Sequence, residues 1–226
     1  MIPDFYQTHI REIPIGDRCF AVHTFADFEK TVDQVVSRLQ AEGAHDLVAE
    51  DCPYFGELWQ SAIHLAHLVN EIAQPQTSFL EVGCGLALPS LVAAAKGAAV
   101  EAIDLHRDVA AFLMANAQLN GLSKVAVHFQ QSAWRDFQPQ KPPDYFIASD
   151  VLYEEQHVAE FVALAHRVAF KKEGILIDPC RWYHQAIIRE LERSGFRVNH
   201  RYLMMDGAKL CEIRFHLTNN VGSPRN

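Results

Sequence analysis

The hydrophobic rhythm of this chain begins with two short alternating runs, REIPI and RCFAVH, joined across Gly16-Asp17. Alternation of period two on either side of a glycine-bearing pair predicts a β-hairpin. FEKTVDQVVSRLQAEG follows, with Val32, Val35, Val36 and Leu39 at helical spacing and Gly43 as a stop. In DCPYFGELWQSAIHLAHLVNEIAQP, residues Leu58, Trp59, Ala62, Ile63, Ala66 and Val69 make one apolar helical face, ended by Pro75.

From Ser78 the two periods alternate. SFLEV, AAVEAID, KVAVHFQ, YFIAS and GILIDP read as strands. LPSLVAAAKG, DVAAFLMANAQLNG, EQHVAEFVALAHRVAF and QAIIRELERSG read as helices, and Asp108 is the cap candidate for the second of them. FRVNHRYLMM and KLCEIRFHL, separated by Asp206-Gly207, predict a closing hairpin. Repeated strand-helix-strand order with short connections implies an α/β fold: a doubly wound, mainly parallel seven-stranded sheet covered on both faces. With no internal repeat and no dividing linker, residues 1–226 read as one domain. Residues 1–77 form a cap with its Trp-bearing helix, 78–217 a core, and 218–226 a frayed tail.

Composition narrows the function. Hydrophobic residues make up 49% and charged residues 21%, which suits a globular core. The formal net charge of −8 disfavours nucleic acid and anionic membranes as partners. No run of about 18 apolar residues is present, and the N-terminus lacks a signal-peptide pattern, so a cytoplasmic protein is expected. The five cysteines are scattered with no CxxC pair, which suits reduced thiols and gives no zinc signature. His64 and His67 share a helix without a carboxylate or cysteine at ligand spacing, so no metal site is expected.

The candidate chemistry lies in FLEVGCGLALPSL. In open α/β sheets, ligands bind beyond the carboxyl ends of the strands where strand order reverses. Gly83 and Gly85 follow the first core strand and leave no side chain between backbone and ligand. A dinucleotide fingerprint would have a third glycine, but Leu88 and Pro89 stand there instead. Glu81 also puts an acid where a phosphate would approach. A cationic, phosphate-free adenosine compound fits better, and S-adenosylmethionine is the obvious member of that class. Asp104 ends the next strand, where a carboxylate can accept both ribose hydroxyls; the alternative is a helix-capping aspartate. Ser132 and Trp134 stand where an adenine could be contacted, and Trp134 could equally be core.

These motifs resemble the seven-strand, class I S-adenosylmethionine-dependent methyltransferases, which have a Rossmann-like fold. More narrowly, they are similar to the branch of protein lysine methyltransferases also labelled nicotinamide N-methyltransferase-like, methyltransferase family 16. PYFGELWQSAIHLA resembles that branch's tryptophan-bearing helix, EVGCGLALPSL its cofactor loop and SDVLYEEQ its D-x-x-Y signature, over about residues 45 to 217. The resemblance implies that Trp59 lines the methionine end of the cofactor, cradled by Glu81, Gly83, Cys84 and Gly85. It further implies that Asp104 and Leu105 hold the ribose and that Ser132, Ala133 and Trp134 border the adenine. Asp150, itself beside the cofactor, and Tyr153 would face the methyl acceptor as the catalytic pair. Gln60 replaces the proline usual after the tryptophan. LIDPCR resembles a D-P-G-R turn found in the family, with Cys180 in place of the glycine.

The expectation is therefore an S-adenosylmethionine-dependent N-methyltransferase acting on a protein lysine by in-line transfer, as a monomer or weak dimer. A small-molecule amine or heteroaromatic nitrogen is the alternative acceptor. A non-catalytic, cofactor-binding interaction protein is the reading of another class. Arg181, Trp182 and Tyr183 read either as a substrate rim or as closure of the sheet.

Overall fold

A computed structural model describes residues 1–43, 52–123 and 125–218. Of the tail expected to fray, residues 219–226 lie outside the described residues.

The N-terminal hairpin forms as its alternation predicts. Strands β1 (Thr8–Ile15) and β2 (Arg18–Phe25) pair antiparallel, with Gly16 turning the chain at φ 61°. Helix α1 (Phe28–Ala41) starts where the Asp27 carboxylate accepts the Lys30 amide at 3.0 Å. A short 3-10 turn, Tyr54–Gly56, leads into α2 (Gln60–Ile72). The core then alternates through β3 (Ser78–Val82), α3 (Leu88–Ala95), β4 (Ala99–Asp104), α4 (Val109–Leu119), β5 (His128–Gln131), β6 (Tyr145–Ser149), α5 (Glu155–Val168), β7 (Glu173–Asp178) and α6 (His184–Arg193). Strands β8 (Phe196–Met205) and β9 (Ala208–Leu217) close the chain as a hairpin. Strand β5 starts later than the KVAVHFQ run predicts: Val125 is 85% exposed, and pairing with β4 covers only the end of the run and the residue after it, His128–Gln131.

The seven-stranded sheet has the order β5-β4-β3-β6-β7-β9-β8, parallel except for β9, which pairs antiparallel with both β7 and β8. The chain runs outward from β3 toward β5, then returns to β6 on the other side of β3. The strand order therefore reverses between β3 and β6, and a crevice opens beyond their carboxyl ends.

Period-two alternation sorts the two layers. Phe79, Val100, Ile147, Ile175 and Ile177 pack under α2, α3, α4 and the N-terminal hairpin. Leu80, Val82, Phe146, Ala148 and Leu176 pack under α5 and α6. Helix α2 buries more than the one face its pattern suggests, because it lies between the sheet and β1; Leu65 and Leu68 join Ile63, Ala66 and Val69 in the core. His64, on the same helix, bonds to the Glu212 carboxylate at 2.9 Å, where Arg201 and Arg214 also converge. The hairpin is fixed to α4 by two asparagines. Asn116 accepts the His23 amide at 2.8 Å, and Asn120 both accepts from Ala21 N–H and donates to its carbonyl. No described helix is long and apolar enough to cross a membrane.

Candidate active site

Four strand ends, those of β3, β4, β5 and β6, and the Tyr54–Trp59 segment surround one cleft of about 1120 Å³, solvent at its mouth included. Its floor is the glycine loop after β3. Gly83 has φ 64°, and a Cβ there would lie 2.6 Å from Val151 Cγ1. Gly85 has φ 50°, and its Cβ would lie 3.2 Å from the Phe55 carbonyl oxygen, because the 3-10 turn passes directly over the loop. Both positions combine a left-handed backbone with close approach, so glycine is required twice over.

Asp104 ties this floor to the next strand. One carboxylate oxygen accepts the Gly85 amide and the other the His106 amide, each at 2.9 Å. Burial pushes its pKa up, and the two amides pull against that. It is therefore no helix cap. Asp108 occupies that position on α4, but its carboxylate makes no capping bond and instead accepts the Tyr6 hydroxyl at 2.9 Å.

Glu81 does not line the cleft. Strand alternation directs it to the same face as Phe79, under α3, where it accepts the Ser90 amide at 3.0 Å and the Ser90 hydroxyl. Enclosed there, 1% exposed, its carboxyl rises to a pKa of about 8, burial outweighing the two hydrogen bonds. The acid expected to repel a phosphate by its charge is thus mostly protonated at neutral pH. It acts differently: it occupies an N-terminal amide of α3, while Pro89 supplies none, so this helix start offers little to an anion. Cys84, next to it, is buried at 6% exposure and also faces away from the cleft.

Trp59, Gly83, Gly85, Asp104, Leu105, Ser132, Ala133, Trp134, Asp150 and Tyr153 all line the cleft, which brings most of the sequence-predicted residues together. Ser132 is positioned by its amide, which donates to the Asp104 carbonyl at 3.0 Å. Trp134 does two things at once, bordering the cleft while packing edge-on against Phe161 and His157. The sequence offered no signal for Tyr54, Phe55, His106 or His157. Phe55 and His106 meet at 4.4 Å between ring centroids, and Tyr153 sits edge-on to His157 at 4.4 Å and near Tyr54 at 6.2 Å.

Asp150 stands at the other side of the crevice, after β6, with φ 55° and its amide held by the Ile177 carbonyl at 2.9 Å. Its side chain is 7% exposed and forms an ion pair with Arg181. Its pKa is raised to about 6: burial and the nearby Asp178 push it up, while Arg181 holds it down. Cys180, where the resembled turn has glycine, adopts φ 56°, the conformation that glycine favours.

Comparison with known proteins bears on this arrangement. A family model described as lysine methyltransferase matches residues 46–185. The chain belongs to that family. It is accordingly a methyltransferase of the S-adenosylmethionine-dependent class, and its fold agrees with solved structures of that class. A SAM-dependent methyltransferase from Aquifex aeolicus superposes with a TM-score of 0.56 at 16% identity, over 67% of this chain and 88% of that one. Magnesium protoporphyrin IX methyltransferase from Synechocystis PCC 6803, solved with bound SAM, gives 0.59 at 16% identity, over 84% and 95%. The ribosomal protein L11 methylase of Lactobacillus delbrueckii subsp. bulgaricus gives 0.55 at 18% identity, over 70% and 79%. None of the curated protein sequences matches the chain significantly.

The residues of this lysine methyltransferase family member fit the class's cofactor. Two glycines leave the floor bare, Asp104 supplies a fixed carboxylate, and the blocked α3 N-terminus suits a ligand without phosphate.

Proposed function

We propose that this methyltransferase acts on the side-chain amine of a protein lysine, with Asp150 and Tyr153 facing the acceptor. The observation that carries the reading is a recessed carboxylate, Asp150, in a cleft with aromatic walls from Tyr54, Trp59 and Tyr153. An unbranched methylene stem is the apolar complement of such walls, and an ammonium is the complement of the carboxylate.

When bound, S-adenosylmethionine supplies a methyl group on a positively charged sulfur that leaves as a neutral thioether. The protein's own task is alignment and deprotonation of the acceptor. At neutral pH, removing the proton from an ordinary lysine costs roughly 4 to 5 kcal/mol. A carboxylate favours the charged amine, so Asp150 attracts and orients the ammonium and does not lower its pKa. Desolvation between the aromatic walls acts in the opposite direction and favours loss of the proton to water. Tyr153, 38% exposed at the mouth, orients the amine or packs along its stem. Trp59, Gly83, Gly85, Asp104, Leu105, Ser132, Ala133 and Trp134 are assigned to the cofactor. Glu81 and Cys84 support its loop from below.

The whole chain reads as one such unit, acting in the cytoplasm, where its five free cysteines stay reduced. Incubating the purified protein with isotopically methyl-labelled cofactor and a cell lysate tests the acceptor class. Label on lysine in peptides supports the proposal; label confined to small molecules, or none above an Asp150→Asn control, rejects it.

A further inference from the structure

Asp150 is already engaged in the structure. Arg181 reaches across from the turn after β7, and its guanidinium Nη2 bonds to Asp150 Oδ1. The carboxylate is recessed, 7% exposed, while the arginine side chain is 42% exposed, so the pair has a fixed inner member and an outer member with room to move. While so paired, the Arg181 guanidinium also lies over the Trp59 ring, 5.8 Å from its centroid, so its charge is held from two sides.

The turn that aims Arg181 is built for that purpose by Asp178. This buried residue, 2% exposed, accepts the Cys180 amide at 2.7 Å and holds Cys180 in its left-handed conformation. Asp150 is left-handed as well, and its amide is fixed to the Ile177 carbonyl on the same strand that leads into this turn. Two strained non-glycine residues on neighbouring strand ends therefore bring Arg181 and Asp150 together, an arrangement that costs backbone energy and needs a return in function.

We propose that Arg181 is a specificity-determining residue: its guanidinium occupies the place of the acceptor's ammonium on Asp150, and only a cationic acceptor displaces it, the exposed guanidinium then swinging outward into solvent. This rests on the reading of Asp150 as the acceptor-facing carboxylate. A neutral heteroaromatic acceptor gains nothing from Asp150 that would offset the broken ion pair, so it is rejected. An ammonium replaces one charge by another and is admitted.

The test uses n-butylammonium as a lysine-tip probe, titrated into the full-length protein loaded with S-adenosylhomocysteine, with NMR of ¹³C-labelled aspartate carboxyls and ¹⁵N-labelled arginine guanidinium groups as readout. Arg181→Ala, with the competing cation gone, should bind the probe about five-fold more tightly than wild type. Arg181→Lys should restore the wild-type affinity, and Asp150→Asn should abolish binding. In wild type, the Arg181 guanidinium signals should shift as the probe saturates. Equal or weaker binding by Arg181→Ala, guanidinium signals that do not respond, or no probe binding to either protein would each overturn the proposal. Failure here with lysine label still found in the lysate removes only the role of Arg181; loss of the lysate label removes the acceptor reading itself.

Discussion

The Asp104 carboxylate accepts the Gly85 amide at 2.9 Å and thereby joins the end of β4 to the glycine loop after β3. Because its other oxygen takes the His106 amide, the side chain cannot rotate away, and its remaining lone pairs point at a fixed place in the cleft. Asp104→Ala is expected to lose both the ligand contact and the tether. Each charged hydrogen bond is worth about 1.5–3 kcal/mol, so affinity for S-adenosylhomocysteine should fall by about 100-fold. Calorimetric titration of both proteins, with NAD as a ligand that neither should bind, measures this. Unchanged affinity in the variant would remove Asp104 from the cofactor site.

Gly83→Ala should lower stability and cofactor affinity together. The new Cβ would meet Val151 Cγ1 at 2.6 Å, and alanine is disfavoured at φ 64°. The strain is about 1–3 kcal/mol, read as a shift in urea midpoint. Adding Val151→Ala relieves the contact but leaves the dihedral cost, so the double variant should recover only part of the loss.

Acid stability should depend on Glu212. Burial pushes its carboxyl up, but contacts with Arg201, His64 and Arg214 together outweigh that and hold its pKa down at about 2, against the 4.5 of an ordinary glutamate. The folded pKa lies below the unfolded one, so the stabilisation is complete above pH about 4.5 and is lost as the pH falls toward 2. It amounts to about 2–3 kcal/mol for a side chain only 3% exposed. Urea unfolding of Glu212→Gln should show a lower midpoint at neutral pH and a flatter profile across that window. A profile that keeps the wild-type slope would assign the acid sensitivity elsewhere.

Glu81 has the opposite sign. With a folded pKa of about 8, its contribution is full below pH about 4.5 and disappears as the pH rises through 8. Asp150, at about 6, adds to the same decline. Glu81→Gln should therefore be more stable than wild type at pH 8.5, by about 2 kcal/mol, and less pH-dependent between 5 and 8. Equilibrium unfolding at four pH values suffices; a variant that is less stable at pH 8.5 contradicts burial as the dominant cause.

Asp150→Asn should cut methyl transfer to the lysate acceptor by about 100-fold, the scale of a misplaced reactant, while Tyr153→Phe should cost less if that ring serves mainly as a wall. Quantified label incorporation separates the two. Equal activity of Asp150→Asn and wild type would exclude Asp150 from acceptor positioning.

Much of this was legible along the chain because it depends on neighbours in sequence. Strand alternation in SFLEV, the Gly16-Asp17 and Asp206-Gly207 turns, and the strand-helix order all follow from local period and turn chemistry, and they appear in the structure at those residues. Gly83, Gly85, Asp104 and Asp150 were recognisable for a related reason: a parallel sheet places successive strand ends on one side, so residues following strands meet.

What no local pattern contains is the direction and partner of a charge. Glu81 reads as an acid beside the ligand, yet α3 packs over it, Ser90 bonds it and burial neutralises it. Asp108 reads as a cap and serves Tyr6, 102 residues away in sequence. Arg181 and Asp150 are separated by 31 residues, and their pairing exists only because β6 and β7 lie side by side and Asp178 bends the following turn. Sequence by itself determined the order of elements, the glycine loop that floors the cleft and the family. Tertiary structure alone decided which carboxylates face the cleft and which are charged, because the electrostatics of a buried group are set by atoms brought near in space.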